Sequence, residues 1–242
     1  MSKSQRYDPN WVSEFYDAYG EKEWARWDLS PEERVKYFIH KHYLQISVNS
    51  GQTVLEIGAG SGRFTKVLSE LGARIVVADI SPGQLALNRR NSKLYGYDQN
   101  VVEWVEADVC NLSRFERGRF DIVIAYGGLL GYVFEKRSQA MSEMLKVTTE
   151  GGLIIISVMS LWGTIHGALE AVLAVDISEN DQIISSGDLH PDTYSNPNHR
   201  VHMFRSSELR NFLHQFPIKI ECMSSSNSLT AGYGSRLGAR RA

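Results

Sequence analysis

The chain has 242 residues, 22% of them charged, and a formal net charge of -2. That length suits one α/β domain with a compact cap, and the near-neutral balance supplies no overall basic field for a nucleic-acid backbone. The two cysteines, Cys110 and Cys222, stand in no metal-like or disulfide spacing, and neither a secretory signal nor a bilayer-length apolar run is visible, so a cytoplasmic protein without a metal or a membrane association is expected.

Residues 1–45 are expected to form an N-terminal helical lid. Trp11, Phe15, Tyr16 and Tyr19 make a dense aromatic patch, followed by Trp24, Arg26 and Trp27. Ser30-Pro31-Glu32-Glu33 marks a helix start, and Val35, Phe38 and Ile39 carry that helix to about Leu44. After the turn Asn49-Ser50-Gly51, Thr53–Ile57 forms a short apolar strand that runs into Gly58-Ala59-Gly60-Ser61-Gly62. Phe64, Val67, Leu68 and Leu71 then recur with helical period, and Gly72 stops them. Arg74–Ala78 is a second strand, closing on Asp79. Ser81-Pro82 opens a helix to about Tyr95. A third strand through Val102 and Trp104 leads to Asp108, and Phe120–Ala125 is the fourth. Gln139–Val147 is a helix, and Leu153–Val158 a fifth strand after Gly151-Gly152.

The pattern breaks at 159–205, which is expected to be a substrate-cap insertion within a 46–242 domain, with a helix near Ala168–Val175. Leu209, Phe212, Leu213 and Phe216 restore a helix stripe. Ile218, Ile220 and Cys222 alternate as a sixth strand, and a seventh around Leu229–Tyr233 is left open. Continuous apolar strands alternating with helices specify a Rossmann-like α/β fold: an open, mostly parallel sheet with helices on both faces. Ligands bind at the edge where its strands end.

Two ligands compete for the glycine loop. A dinucleotide site wants GxGxxG with a pyrophosphate at the helix start. Here Gly62 comes one residue early, and the Glu56 carboxylate would repel a pyrophosphate. It suits a ligand with a cationic amino group, which selects S-adenosylmethionine. Asp79 can accept both ribose hydroxyls, with Ile80 against the adenine. Asp108 can accept from the adenine amino group, and Val109 supplies a backbone N–H. The bland alternatives are a solvated strand-end Asp79 and a helix-capping Asp108. Tyr126 and Leu129, around Gly127-Gly128, can wall the cavity. Asp121 lies at the opposite edge and is expected to be structural.

The run VLEIGAGSGRFTKVLSELGARIVVADISPGQL, with EADV, FDIVIAYGGLLGY and GGLIIISV after it, resembles the class I S-adenosylmethionine-dependent methyltransferases, most of all the group acting on small molecules. The resemblance implies that Glu56, Gly58, Gly60 and Gly62 hold the methionine part of the donor, that Asp79 binds ribose and that Asp108 lies near adenine. It implies transfer of methyl to an O, N or C atom of a small molecule by in-line displacement; the lid and the insertion together predict a closed pocket, and a monomer or homodimer is expected. It modestly favours His202 and His199 as bases, and these stand three apart. Tyr16, Arg26, Leu129 and Arg205 are the candidates to meet the substrate. No NPPY-type motif follows the fourth strand, where Ala125-Tyr126-Gly127-Gly128 stands, which counts against amino methylation of nucleic-acid bases. A nucleic-acid methyltransferase would have to rely on Arg236, Arg240 and Arg241 with Arg89, Arg90 and Lys93. The alternative outside catalysis is a donor-binding scaffold that has lost activity.

Overall fold

The five apolar runs form five parallel strands. A computed structural model describes residues 6–195 and 199–226. In it β1 (Thr53–Ile57), β2 (Arg74–Asp79), β3 (Val101–Glu106), β4 (Phe120–Ala125) and β5 (Thr148–Ile156) pair in the order β3-β2-β1-β4-β5. Every pairing in that sheet is parallel. Side chains alternate across it: Val54, Ile75, Val77, Ile122 and Ile124 enter one core, and Leu55, Ile57, Val76, Ala78, Val123 and Ala125 the other. Burial on both faces is why these strands read as unbroken apolar runs.

The helices ahead of and between the strands are α1 (Pro9–Tyr19), α2 (Lys22–Ala25), α3 (Pro31–Ser47), α4 (Arg63–Glu70) and α5 (Pro82–Tyr95). After β4 come α6 (Leu129–Tyr132) and α7 (Arg137–Val147). Leu44, Phe64, Val67, Leu68 and Leu85 fill the first core, and Val12, Met141 and Met144 the second. Their starts follow the expected chemistry. Ser30 Oγ accepts from the Glu33 N–H at 3.2 Å, and Ser81 Oγ from the Gln84 N–H at 3.0 Å. Each such cap contributes about 1 kcal/mol.

Beyond β5 the chain makes α8 (Leu161–Gly167), α9 (Leu169–Leu173) and α10 (Ile177–Ser186), then β6 (Asp188–Leu189) and β7 (Val201–His202), which pair antiparallel. The base of this excursion is knitted together: Leu161 N–H donates to Phe204 O at 3.0 Å and Phe204 N–H to Met159 O at 2.8 Å. The next element is α11 (Ser206–Leu213).

The expected sixth strand is corrected. Ile218, Ile220 and Cys222 form no strand, and among the described residues the sheet ends at β5. Ile218 and Ile220 instead lie partly buried against the same core as Phe212 and Phe216. An extended segment resting on a core shows the same alternation as a paired strand, so the pattern alone does not separate them. Leu229–Tyr233, Arg236, Arg240 and Arg241 lie outside the described residues.

Candidate active site

From β1 the sheet grows one way through β2 and β3 and the other way through β4 and β5, so the loops leaving β1 and β4 diverge and open a crevice between them. The turn after β1 and the turn at Tyr126-Gly127 both face it. A main cavity of about 670 Å³, including its open mouth, lies there. An adjoining one of about 350 Å³ shares Glu23, Arg26, Gly58, Tyr126 and Gly127 with it. Small-molecule sites typically occupy about 300–1,000 Å³.

Glu56 is 3% exposed and lines the smaller cavity. It accepts a hydrogen bond from Thr65 Oγ1 at 2.6 Å. Burial pushes its carboxyl up to about 8; the Thr65 bond opposes this, and the Asp79 charge adds to it. Ser61 Oγ, also on this cavity, is buried with no partner. The site therefore holds an acid that lacks a cation and a hydroxyl that lacks a bond, which fits the charged amino-acid end of the expected donor.

Asp79 is 6% exposed at the end of β2. Its two oxygens accept from Gly60 N–H at 2.7 Å and Ser81 N–H at 2.9 Å. Burial pushes it up to about 6 against those bonds. The carboxylate thus fixes the glycine loop and presents its remaining lone pairs to the main cavity, which it lines with Ile80. Asp108 and Val109 line the same cavity. Asp108 Oδ1 accepts from Cys110 N–H at 2.8 Å, so it also braces the turn after β3. Gly58 and Gly60 line the cavity as expected.

Gly62 does not line either cavity. It sits at φ +98°, and a Cβ there would lie 2.2 Å from Tyr97 Oη and 2.9 Å from Asn88 Cγ. In this structure the glycine lets the loop pack on Asn88 of α5 and on Tyr97 beyond it.

The N-terminal helices roof the crevice. Asp17 Oδ1 accepts from Ser81 Oγ and, at 2.8 Å, from Gly83 N–H, while Ser13 Oγ donates to Ile80 O at 3.1 Å. Gln84 Nε2 donates to Tyr16 O at 2.8 Å. The roof is thus fastened to the loop that follows Asp79. It contributes Tyr7, Val12, Tyr16, Glu23 and Arg26 to the cavity, and Leu129, Tyr132 and Val133 face them from α6 and its end. Arg26 is paired with Glu23 at 2.9 Å, and its guanidinium lies 3.9 Å from the Trp27 ring centroid. Glu23 and Tyr132 were not singled out from the sequence. Tyr132 follows Leu129 by one helical turn, which was the available signal.

The two candidate bases part company. His202 is 2% exposed and lines neither cavity. Its Nδ1 meets Asp188 Oδ1 at 2.6 Å and its Nε2 meets Glu208 Oε1 at 2.8 Å. Arg6 pairs with Asp188, and Arg137 reaches Glu208 at 3.3 Å. Burial would push Asp188 up, but the His202 bond with Arg6 and Arg137 behind it holds the carboxyl below its ordinary range. With both ring nitrogens engaged away from the cavity, His202 is corrected from base to clamp, tying β7 to β6 and α11. His202→Ala is expected to lower stability by about 2 kcal/mol, because it strips a partner from two partly buried carboxylates. Thermal melts should show the loss, with donor affinity by calorimetry unchanged.

Arg205 is likewise corrected. It donates to Ile184 O, its guanidinium lies 5.8 Å from the Trp162 ring centroid, and it lines neither cavity. His199 also lies off the lining, but it contacts Tyr132, which is on it. Among the described residues no cluster of three or more His, Cys, Asp or Glu could hold a metal ion, and no helix is long and apolar enough to cross a membrane.

A family model described as a methyltransferase domain matches residues 55–156. A demethylmenaquinone methyltransferase from Clavibacter sepedonicus is 36% identical over 107 residues, 44% of this chain and 41% of that one. A glycine/sarcosine N-methyltransferase from Parasynechococcus marenigrum is 28% identical over 161 residues, covering 64% and 53%. The chain thus spans about half the length, or less, of these curated relatives. Among solved structures, the PH0226 protein from Pyrococcus horikoshii OT3 aligns with a TM-score of 0.60 at 21% identity, covering 78% of this chain and 83% of that one. A SAM-dependent methyltransferase from Methanosarcina mazei gives 0.58 at 19%, covering 77% and 91%. These last two likenesses concern the fold alone. The matched segment spans β1 to β5, with Glu56 and Asp79 in it, so this part of the chain is a methyltransferase domain, similar in its motifs to the class I S-adenosylmethionine-dependent methyltransferases.

Proposed function

We propose that this chain transfers the methyl group of S-adenosylmethionine to a small molecule held in the main cavity beneath the N-terminal roof. One observation carries this reading: Glu56 on the smaller cavity, and Asp79 and Asp108 on the main one, stand at or just past the ends of β1, β2 and β3, beneath a roof that bears aromatic residues. Glu56 and Ser61 would hold the amino-acid end of the donor, Asp79 the ribose, and Ile80, Asp108 and Val109 the adenine. Tyr126, Gly127 and Leu129 wall the space beside it. When bound, the donor supplies an activated methyl carbon on a sulfonium. The chain's own contribution is alignment and exclusion of water, which can remove several kcal/mol from a barrier. The names of the two relatives above, which specify small acceptors, support the substrate class. A nucleic-acid substrate is disfavoured because Arg26, the basic side chain on the main cavity, is already paired with Glu23. A screen of small acceptors with isotopically labelled methyl donor, read by mass spectrometry, tests the reading. Failure of the protein to bind the donor or its demethylated product in calorimetry overturns it.

A pH dependence follows from Glu56. Its folded value is raised to about 8, so the carboxyl holds its proton in the ligand-free protein through neutral pH. An ammonium beside it favours the carboxylate, so donor binding should expel a proton. Affinity should rise as pH increases towards about 8 and level off there, where the donor's own amino group begins to lose its charge. Calorimetry in two buffers of different ionisation enthalpy measures the released proton. Binding at neutral pH without release would remove the ammonium from Glu56.

A further inference from the structure

Three side chains connect the main cavity to the excursion after β5. Tyr16, on α1, and Tyr132, on α6, both line the cavity. Tyr16 Oη donates to Tyr132 Oη at 2.8 Å, and Tyr132 Oη meets His199 Nε2. His199 is off the cavity lining and only partly buried, packed edge-on to Phe15 with centroids 5.0 Å apart. β7 reaches α6 closely enough to bring His199 there because residue 131 is glycine: a Cβ on Gly131 would lie 2.6 Å from His202 O. With His199 Nε2 unprotonated, the donors run outward from the cavity. Tyr16 gives its proton towards Tyr132, and Tyr132 can give its own to the imidazole, which leaves the lone pairs of Tyr16 for a ligand.

We propose that Tyr16, Tyr132 and His199 form a proton line that takes the hydroxyl proton of an aromatic-hydroxyl acceptor in the main cavity and delivers it to the imidazole outside. The proposal rests on the methyl-transfer reading and adds the acceptor class and the route of its proton. As the acceptor oxygen forms its bond to the methyl carbon, the carbon–sulfur bond breaks and its electron pair stays on sulfur. The acceptor proton passes to Tyr16 Oη, the Tyr16 proton to Tyr132 Oη, and the Tyr132 proton to His199 Nε2, which later returns it to solvent. Nothing else is consumed. Both tyrosines are neutral before and after.

The surroundings suit this. Burial pushes both tyrosine hydroxyls up, so neither is lost as a phenolate, and burial lowers His199, which keeps the imidazole neutral and able to accept. The charged groups facing the tyrosines are Glu23 and Arg26, paired with each other, and Tyr19 faces Tyr132 as well. Arg200, next to His199 in the chain, stacks over Trp11 at 4.8 Å. With Glu23 already held by Arg26, no free carboxylate among these groups is left to receive an ammonium, whereas an aromatic ring with a hydroxyl matches Val12, Leu129 and Val133 around the two tyrosines.

The test uses 4-nitrophenol, whose phenolate is yellow, added to the full-length protein saturated with S-adenosylhomocysteine. Its ionisation is followed optically against pH in the wild type, Tyr132→Phe and His199→Gln. The bound phenol should ionise about one pH unit lower in the wild type than in either variant, a tenfold change in the proton equilibrium. S-adenosylhomocysteine affinity by calorimetry should stay the same in all three proteins. A tyrosine or histidine that serves packing alone would not move that ionisation. Identical ionisation in the three proteins, or no binding of the phenol, overturns the proton line and leaves the donor reading standing. Loss of S-adenosylhomocysteine binding by the wild type removes both.

Discussion

Replacing Asp79 with alanine is expected to weaken S-adenosylmethionine binding on the order of 100-fold, with a smaller effect on the acceptor. Two hydrogen bonds from ribose hydroxyls to a buried carboxylate are worth about 1.5–3 kcal/mol each, and part of that is recovered by solvent entering the site. Asp79 also holds the loop, through Gly60 N–H and Ser81 N–H, so alanine leaves two backbone donors without their partners. Asp79→Asn separates the two roles. Its carbonyl can still accept from one of those N–H groups, but it has lost the charge and one acceptor oxygen. Calorimetry should therefore rank wild type above Asn above Ala for the donor, while thermal melts place Asn near the wild type. Unchanged donor affinity in Asp79→Ala would mean that the ribose lies elsewhere. The removal of an acid whose folded value is raised to about 6 carries its own signature. Such a group destabilises the ligand-free fold as pH rises from the ordinary carboxylate range through about 6. In the variants that part of the pH dependence should flatten.

The features that could be read from the sequence are those whose partners are close in the chain. Glu56, Gly58 and Gly60 belong to one strand–turn–helix unit, and Asp79 closes the neighbouring strand. Their geometry follows once the parallel sheet is granted. The sheet itself is legible because both its faces are buried, which leaves unbroken apolar runs. What was missed depends on contacts between distant segments. His199 and His202 are three apart, which a helix would place on one face. In the structure His202 lies on β7 and turns to Asp188 and Glu208, while His199 meets Tyr132. Helix α10 went unread because its polar run Ser178-Glu179-Asn180-Asp181-Gln182 shows an apolar stripe only against its tertiary neighbours. Glu23 looks like one charge in the surface run Glu21-Lys22-Glu23, and only the placement of the roof over Gly60 makes it a cavity residue.

Roof and donor loop are also one mechanical unit. Asp17, Ser13 and the backbone of Tyr16 bind Ser81, Gly83, Ile80 and Gln84, all immediately after Asp79. The segment that would carry the ribose and adenine contacts therefore also fastens the helix bearing Tyr16. A donor seated against Asp79 and Ile80 would order the same backbone that fixes the roof, so its binding and closure over the acceptor should be coupled. This coupling needs no long path, because the two sites share residues.

Gly62→Ala is expected to destabilise the fold by about 2–5 kcal/mol. Two independent costs add. The residue sits at φ +98°, a conformation that costs an L-residue about 1–2 kcal/mol. The new Cβ would also lie 2.2 Å from Tyr97 Oη, and overpacking of a tight interior costs about 1–3 kcal/mol. Tyr97 has little room to retreat: it is 2% exposed, and its hydroxyl donates to Asn88 O at 3.2 Å. Asn88 is tied in turn to Gly60 O and Thr65 Oγ1, the hydroxyl that donates to Glu56. Strain passed to Tyr97 therefore reaches the donor acid through three hydrogen bonds, although Gly62 lines neither cavity. Tyr97→Phe separates the terms. Alone it should cost about 1 kcal/mol for the lost hydrogen bond. Combined with Gly62→Ala it removes the clashing oxygen, so the double variant should be more stable than Gly62→Ala alone, with the backbone cost remaining. Denaturant titrations of the four proteins measure the coupling. Strict additivity would mean that the methyl group is accommodated without touching Tyr97 and that its cost lies in the backbone conformation and the Asn88 contact.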